Sequence, residues 1–200
     1  MGLGKLSRGK RATFKRNNCS MAFKITPQSL RKLCKENNLY SSDVSLNEIL
    51  HLQCKGITEL APCIGEFTGL KTLYLEQNAL SDLSHLAPLT NLRCLYLGRN
   101  MIDTINGLEN LIQLDSLDLS DNYITMLSGL NQLGSLRTLN LSGNKLATCE
   151  SIRHLKLCSS LISLDLANNK IADGEAVDML AAMPLSFLRL AGNPVVGTYR

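Results

Sequence analysis

The side chains that could carry out catalysis or bind a metal are scattered along this chain of 200 residues. The three histidines, His51, His85 and His154, fit no zinc-ligand spacing, and the seven cysteines include no Cys-x-x-Cys pair. The chain also has no phosphate-binding loop, no nucleophile–base motif and no paired carboxylates in a recognisable pocket. We therefore predict a protein that is not an enzyme, binds no metal or cofactor and has no small-molecule substrate.

A second set of residues recurs at regular intervals. Six segments, which begin at Leu70, Leu92, Leu114, Leu136, Leu161 and Leu185, read L-x-x-L-x-L-x-x-N-x-(L/I/V). Their asparagines are Asn78, Asn100, Asn122, Asn144, Asn169 and Asn193, at separations of 22, 22, 22, 25 and 24 residues. A degenerate copy with Leu50, Leu52 and Ile57 precedes them, and Lys55 stands in place of its asparagine. This pattern is the signature of leucine-rich repeats.

Each part of the repeat predicts a local structure. The L-x-L segment predicts a short strand with its leucines facing inward, and stacked copies pair in parallel about 4.8 Å apart. The asparagine amide can bond backbone groups that the following turn leaves unpaired, so we interpret the six asparagines as a structural ladder. The predicted fold class is α/β: a curved solenoid with a parallel concave sheet and 3₁₀ or short α-helices on the convex side.

The segments between strands predict the convex side. Apolar residues recur every third position, for example at Leu83, Leu86 and Leu89, which is the period of a 3₁₀-helix. The same period recurs in the next two repeats, at Ile102, Ile105, Leu108 and Leu111 and again at Ile124, Leu127, Leu130 and Leu133. The two longer repeats leave room for α-helical turns, and we expect one between an N-cap at Asp173 and a stop at Pro184.

We divide the chain into four parts. Residues 1–23 form a basic leader predicted to be disordered, and residues 24–43 contain a capping helix with Thr26 as N-cap and Pro27 at its first position. Residues 44–196 form the repeat domain, and residues 197–200 form a truncated C-terminal cap. We expect the leucine face of the last strand, within 185–191, to be exposed. A shortened product, an incomplete part of a longer protein or a covering dimer would each account for that end.

The outward residue between the two inner leucines of each strand predicts a binding face. These residues form one concave column: His51, Tyr74, Tyr96, Asp118, Asn140, Asp165 and Arg189. Tyrosine offers a large contact area and one hydroxyl at little entropic cost, so the column is a candidate site for protein partners. A flanking column runs through Gln53, Glu76, Gly98, Ser120, Ser142, Ala167 and Ala191, and its small members from Gly98 onward would let a partner approach closely.

Charge and cysteine usage indicate the compartment. The leader carries six basic residues and no acid, so the formal net charge of +4 conceals a weakly acidic repeat region. The odd number of unclustered cysteines favours a reducing intracellular environment. The chain has no secretory signal and no apolar run long enough to span a membrane. We expect neither membrane nor nucleic acid as a partner.

Two flanking segments carry a resemblance to a known family. Residues 25–41, ITPQSLRKLCKENNLYS, resemble the opening of the repeat domain of the leucine-rich axonemal dynein assembly factors. Residues 47–57 are similar to that family's degenerate first repeat, and Ala182–Leu185 with 190–196 are similar to its last repeat. The 22-residue repeats alone also resemble those of the nuclear phosphatase-1 regulatory subunit. Two features depart from the family pattern: the basic leader, and the position of Tyr199 and Arg200 at the end.

The resemblance implies a function through binding. It implies a cytoplasmic adaptor that helps preassemble axonemal dynein arms for motile cilia, with dynein chains or assembly chaperones as partners and the cytoplasm and cilium as its location. The alternative is a regulatory-subunit-like protein that binds a protein phosphatase 1 catalytic subunit. That alternative would be favoured by more repeats and by aromatic and acidic residues that continue along the concave column.

Overall fold

The computed structural model describes residues 23–40 and 42–198. Almost all of the predicted basic leader and the last two residues of the predicted C-terminal cap therefore lie outside the described residues. The description that follows concerns the repeat region and the segments that flank it directly.

Seven three-residue strands form one parallel sheet in chain order. The strands are β1 (Ile49–His51), β2 (Thr72–Tyr74), β3 (Cys94–Tyr96), β4 (Ser116–Asp118), β5 (Thr138–Asn140), β6 (Ser163–Asp165) and β7 (Phe187–Arg189). Every strand pairs only with its sequence neighbours, so each repeat adds one strand to the growing sheet. This arrangement confirms the predicted solenoid with a parallel sheet, including the degenerate first repeat.

The inward leucines form one continuous core. Leu73 and Leu75 of the second repeat are fully buried, and their equivalents Leu95 and Leu97 in the next repeat are also fully buried. Burial of one leucine side chain contributes about 1.5–3 kcal/mol. A single repeat cannot bury its leucines alone, so the stacking of repeats supplies most of the stabilisation. Leu188 of β7 departs from this pattern and is 37% exposed, as the sequence predicts for the last strand.

The six predicted ladder asparagines join adjacent repeats. In Asn122, the Nδ2 donates to the carbonyl oxygen of Leu119 in its own repeat and to that of Leu97 in the preceding repeat, both at 3.0 Å. Its Oδ1 accepts from the Ile102 N–H at 3.1 Å. The same pattern holds at Asn100, Asn144, Asn169 and Asn193. Each amide thus satisfies buried backbone groups of two neighbouring repeats.

Asn78 also compensates for the missing asparagine of the first repeat. Its Oδ1 accepts from the Ile57 N–H at 2.9 Å and from the Lys55 N–H at 3.1 Å. Its Nδ2 donates to the carbonyl oxygens of Leu52 and Leu75. The degenerate repeat therefore keeps its turn, although Lys55 cannot supply the amide.

The convex side corrects part of the predicted 3₁₀ structure. Four 3₁₀-helices are present in the described residues: Val44–Leu46, Pro62–Glu66, Ser84–Leu86 and Arg153–Leu157. In residues 102–114 and 124–133, all of which are described, the apolar residues are buried at the predicted period but the chain forms turns and bends without a 3₁₀-helix. Gly107 and Gly129 interrupt these two segments with φ angles of +88° and +70°. Consecutive 3₁₀ hydrogen bonds cannot pass through a left-handed residue.

The predicted α-helix at the N-terminal flank is α1 (Pro27–Glu36). Thr26 and Ser29 form a reciprocal capping box at its start. The helix buries Leu30, Leu33 and Cys34, which belong to the same core as the repeat leucines. We propose that α1 is the N-terminal cap of the solenoid, because its apolar side shields the first repeat from water.

The two longer repeats contain the predicted helical turns. The 25-residue repeat contains α2 (Cys149–Ile152), which begins after the N-cap Thr148. The 24-residue repeat contains α3 (Gly174–Ala181), whose N-cap is Asp173 as predicted. A last short helix, α4 (Val195–Thr198), follows the sixth asparagine.

The asparagine ladder makes a measurable contribution to stability. Replacement of Asn122 by Ala leaves the Leu97 and Leu119 carbonyls and the Ile102 N–H without their side-chain partner. We expect the free energy of unfolding to fall by about 3 kcal/mol or more in urea denaturation. As a control, Asn91→Ala removes an exposed amide that donates to the Thr68 carbonyl and accepts from Gln113 Nε2 at 3.4 Å, and should cost less than about 1 kcal/mol because both bonds are exposed to water. Equal losses in the two variants would contradict this role.

The tight turns on the convex side lead to a second prediction about stability. A Cβ at Gly107 would lie 2.7 Å from the Ser84 Cα, and φ is also positive there. We expect Gly107→Ala to lower the unfolding free energy by more than about 2 kcal/mol, because strain and backbone overlap add. At Gly134 nothing lies within 4 Å of the added Cβ, so Gly134→Ala should be neutral or slightly stabilising. Thermal unfolding of the two variants side by side checks the difference.

Candidate binding face on the concave sheet

The seven residues predicted to form the concave column lie in one row of the sheet. His51, at the end of β1, is in register with Tyr74, which is in register with Tyr96. The same register continues without a break through Asp118, Asn140, Asp165 and Arg189. The parallel pairing of three-residue strands brings these side chains onto one surface. Whether that surface binds a partner stays a prediction.

The first three members of the column form an aromatic stack. The ring centroids of His51 and Tyr74 are 4.6 Å apart, and those of Tyr74 and Tyr96 are 4.8 Å apart. The planes are nearly parallel, at 8° and 7°. The centroid separations match the usual spacing of neighbouring strands, so the sheet itself imposes the stack. The result is a flat aromatic strip across three repeats.

The middle members of the column serve the backbone as well as the surface. Asp118 Oδ1 accepts from the Ser120 N–H at 2.8 Å, and Asp165 Oδ1 accepts from the Ala167 N–H at 2.8 Å. Asn140 Oδ1 accepts from the Ser142 N–H at 3.1 Å. These bonds to the second following residue fix the side chains in position where each strand ends. One side-chain oxygen of each of these residues is therefore used to stabilise the end of its strand.

The last member of the column is paired across the sheet. Arg189 Nη1 lies 3.4 Å from Asp165 Oδ2. The arginine side chain is 58% exposed and the aspartate side chain 19% exposed. The pair neutralises the acidic character of this end of the column. Such a partly exposed pair contributes at most about 1 kcal/mol to stability, so its main effect is on the local charge.

The flanking column contains a carboxylate whose environment the sequence could not show. Glu76 Oε2 is buried and has no hydrogen-bond partner among the described residues. Glu76 also lies close to the tyrosine stack. Burial raises the pKa of the Tyr96 hydroxyl, and Cys94, Tyr74 and Glu76 add to the rise. Tyr96 is therefore a neutral hydrogen-bonding group in the physiological range.

A small cavity lies between the two columns. It has a volume of about 200 Å³ and is lined by Glu76, Gln77, Gly98, Arg99, Asp118 and Ser120. Gly98 is buried at its floor, and a Cβ there would lie 2.9 Å from Ser120 Oγ. The sequence predicts that a partner can approach closely at the small residues of the flanking column, and the cavity lies at the first of these residues, Gly98.

Sequence reasoning missed a wider depression at the opposite end of the strands. It has a volume of about 620 Å³, and its lining includes Arg93, Asp115 and Arg137. Arg137 Nε lies 3.6 Å from Asp115 Oδ1. The charged residues that follow the first leucine of successive motifs could have indicated this row. The two sides of the concave sheet thus differ in charge.

Four of the cysteines in the described part of the chain lack the environment of an activated nucleophile. Burial raises the pKa of Cys34, Cys63 and Cys149, and it raises the pKa of Cys158 to about 11. Nearby acidic groups add to the rise at Cys63 and Cys149. Reactive cysteines have a lowered pKa because the thiolate is the nucleophile. These four thiols are therefore held in the unreactive protonated form.

Within residues 23–40 and 42–198, no helix is both long and apolar enough to cross a membrane. Within the same ranges, no group of three or more His, Cys, Asp or Glu side chains is arranged to hold a metal ion.

Comparison with solved structures supports the fold. An internalin C2 from Listeria monocytogenes aligns with a TM-score of 0.67 at 27% identity, over 76% of this chain and 65% of that one. A leucine-rich-repeat protein from Leptospira interrogans aligns with a TM-score of 0.65 at 30% identity, over 72% of this chain and 37% of that one. The family model Leucine Rich repeats (2 copies) matches residues 68–110 and 112–157.

Comparison with curated sequences identifies much closer relatives. Leucine-rich repeat-containing protein ODA7 of Chlamydomonas reinhardtii is 58% identical over 177 residues, which cover 88% of this chain and 40% of that protein. Dynein axonemal assembly factor 1 of Homo sapiens is 56% identical over 174 residues, which cover 86% of this chain and 24% of that protein. The chain thus spans less than half the length of either relative. Both identities confirm the resemblance found in the sequence: the leucine-rich-repeat region of this chain is similar to part of the axonemal dynein assembly factors.

Proposed function

We propose that this chain is a non-enzymatic, protein-binding adaptor for the cytoplasmic preassembly of axonemal dynein arms, which motile cilia require. The observation that carries the proposal is the identity of 56–58% to assembly factors over nearly the whole repeat region. The proposed partners are axonemal dynein chains or the chaperones that assemble them. The proposed place of action is the cytoplasm, with the cilium as the destination of the assembled arms.

The concave face supports binding as the mode of action. A solenoid offers an extended curved surface rather than a closed pocket, which suits a polypeptide partner better than a small substrate. The strip formed by His51, Tyr74 and Tyr96 supplies flat aromatic area, and the carboxylates and amides further along supply polar contacts. Tyrosine is enriched among the residues that dominate binding energy at protein interfaces.

The phosphatase-regulator alternative finds no specific support. We expected it to require more repeats and an aromatic and acidic column that continues along the sheet. The aromatic residues of the column end at Tyr96, and the human relative described above is named Dynein axonemal assembly factor 1. We therefore retain the dynein assembly adaptor as the proposed function.

The aromatic strip provides the test of this function. We expect the double variant Tyr74→Ala/Tyr96→Ala to retain less than about a tenth of the axonemal dynein chains that the wild-type chain co-purifies from ciliated cells. Each substitution removes partly exposed aromatic area, so unfolding should become easier by only about 1 kcal/mol per site. Quantitative mass spectrometry of the purified material measures the effect.

The matched control is Tyr123→Ala. Tyr123 is 46% exposed and lies after the ladder asparagine, outside the concave row, with Lys145 Nζ at 4.3 Å from its ring centroid. This variant should retain dynein chains as the wild type does. If the double variant retains them equally well, the assignment of the concave face to partner binding is wrong.

A further inference from the structure

The aromatic stack ends at Tyr96, and the next position of the concave column carries a carboxylate. Tyr96 covers Tyr74 on one side, and the next residue in the row is Asp118. Asp118 Oδ1 is held by the Ser120 N–H, whereas Oδ2 accepts no hydrogen bond from the described residues. Asp118 therefore presents a free carboxylate oxygen next to the end of the stack.

The cavity at Gly98 has a second carboxylate in its lining besides that of Asp118. Glu76 lines one side of it, Asp118 and Ser120 line the other, and Gly98 forms the floor. The buried Glu76 Oε2 has no partner among the described residues, which is a costly state for a carboxylate oxygen. Glu76 therefore contributes to the lining of the cavity a carboxylate with unused hydrogen-bonding capacity.

The local charge indicates a cation rather than a neutral donor. The concave column and the flanking column together carry three carboxylates, Glu76, Asp118 and Asp165, and one guanidinium, Arg189. Arg189 pairs with Asp165, at the far end of the column. Arg99 also lines the cavity, but its Nε lies 3.3 Å from Asp121 Oδ2. Glu76 and Asp118 are thus left without a cationic partner of their own.

We propose that the concave face binds a partner segment through an arginine side chain, whose guanidinium enters the cavity over Gly98 and donates hydrogen bonds to Glu76 and Asp118 on its two sides. This inference rests on the proposed adaptor function and specifies the chemistry of its partner. Guanidinium is planar, stacks on aromatic rings and presents a fork of N–H donors to carboxylates. The compact ammonium of lysine can neutralise the two carboxylates but lacks the planar fork of donors that can bond both at once.

The probe for the test is N-acetyl-arginine amide, titrated into the isotope-labelled chain while backbone amide shifts are followed by NMR. We expect saturable shifts at Gly98, Arg99 and Ser120, which surround the cavity. N-acetyl-citrulline amide is the matched neutral probe, with nearly the same shape and no charge. Equal affinity for the two probes would overturn the proposal.

Two variants locate the site on the protein. Glu76→Gln and Asp118→Asn should each weaken binding of the arginine probe by about tenfold, because each removes a charged acceptor. Asparagine at position 118 can still accept from the Ser120 N–H, as Asn140 does from the Ser142 N–H, so the strand end stays intact. Wild-type affinity in both variants would show that the guanidinium binds elsewhere.

The control variant is Asp103→Asn. It removes one exposed carboxylate from the same repeat as Gly98, but on the convex side. We expect it to bind the arginine probe as the wild type does. A loss equal to that of Asp118→Asn would indicate attraction by overall charge and would overturn the specific site.

The outcome is separable from that of the adaptor function. If the wild-type chain co-purifies axonemal dynein chains but the arginine probe causes no shifts at the cavity, the arginine site is wrong and the adaptor function stands. If the probe binds as expected but no axonemal dynein chain co-purifies, the adaptor function is wrong and the arginine site stands.

Discussion

The asparagine amide that joins each repeat to the preceding one is the interaction on which this structure depends. Its side chain bonds backbone groups of both repeats, in the part of the turn that no strand can satisfy. The leucines alone would allow neighbouring repeats to slide, because apolar contact is not directional. The amide fixes the register, and the register places the outward side chains of successive strands in straight rows. The candidate binding face is therefore a consequence of the ladder.

Sequence periodicity predicted most of this because the relevant forces repeat with it. The six asparagines, the inward leucines and the concave column follow from strand alternation and the repeat length, and each lies where expected. The capping box at Thr26 and the N-cap at Asp173 could also be predicted, since short polar side chains at helix starts have a local cause. Local causes and exact repetition are what a single sequence reveals.

Features that depend on the exact path of the turn were not predictable. Gln77 and Arg99 adopt positive φ just before the ladder asparagine, although neither residue type favours that conformation. The position in the repeat imposes it, because the chain must leave the sheet there. Gly107 and Gly129 likewise turn an expected 3₁₀-helix into separate turns. The unpartnered Glu76 oxygen depends on how neighbouring turns close around it, and no spacing rule contains that information.

The concave row also shows how a repeat protein keeps its surface variable without losing its fold. Inward positions are nearly all leucine, whereas the column changes from aromatic to acidic to basic along the sheet. Where a column residue does serve the fold, at Asp118, Asn140 and Asp165, it does so through one oxygen that aspartate and asparagine both possess. Charge at these positions can therefore change without loss of the backbone contact. This separation means that the acidic character beside Tyr96 is not required by the fold, and recognition of a cation is the role that its position best explains.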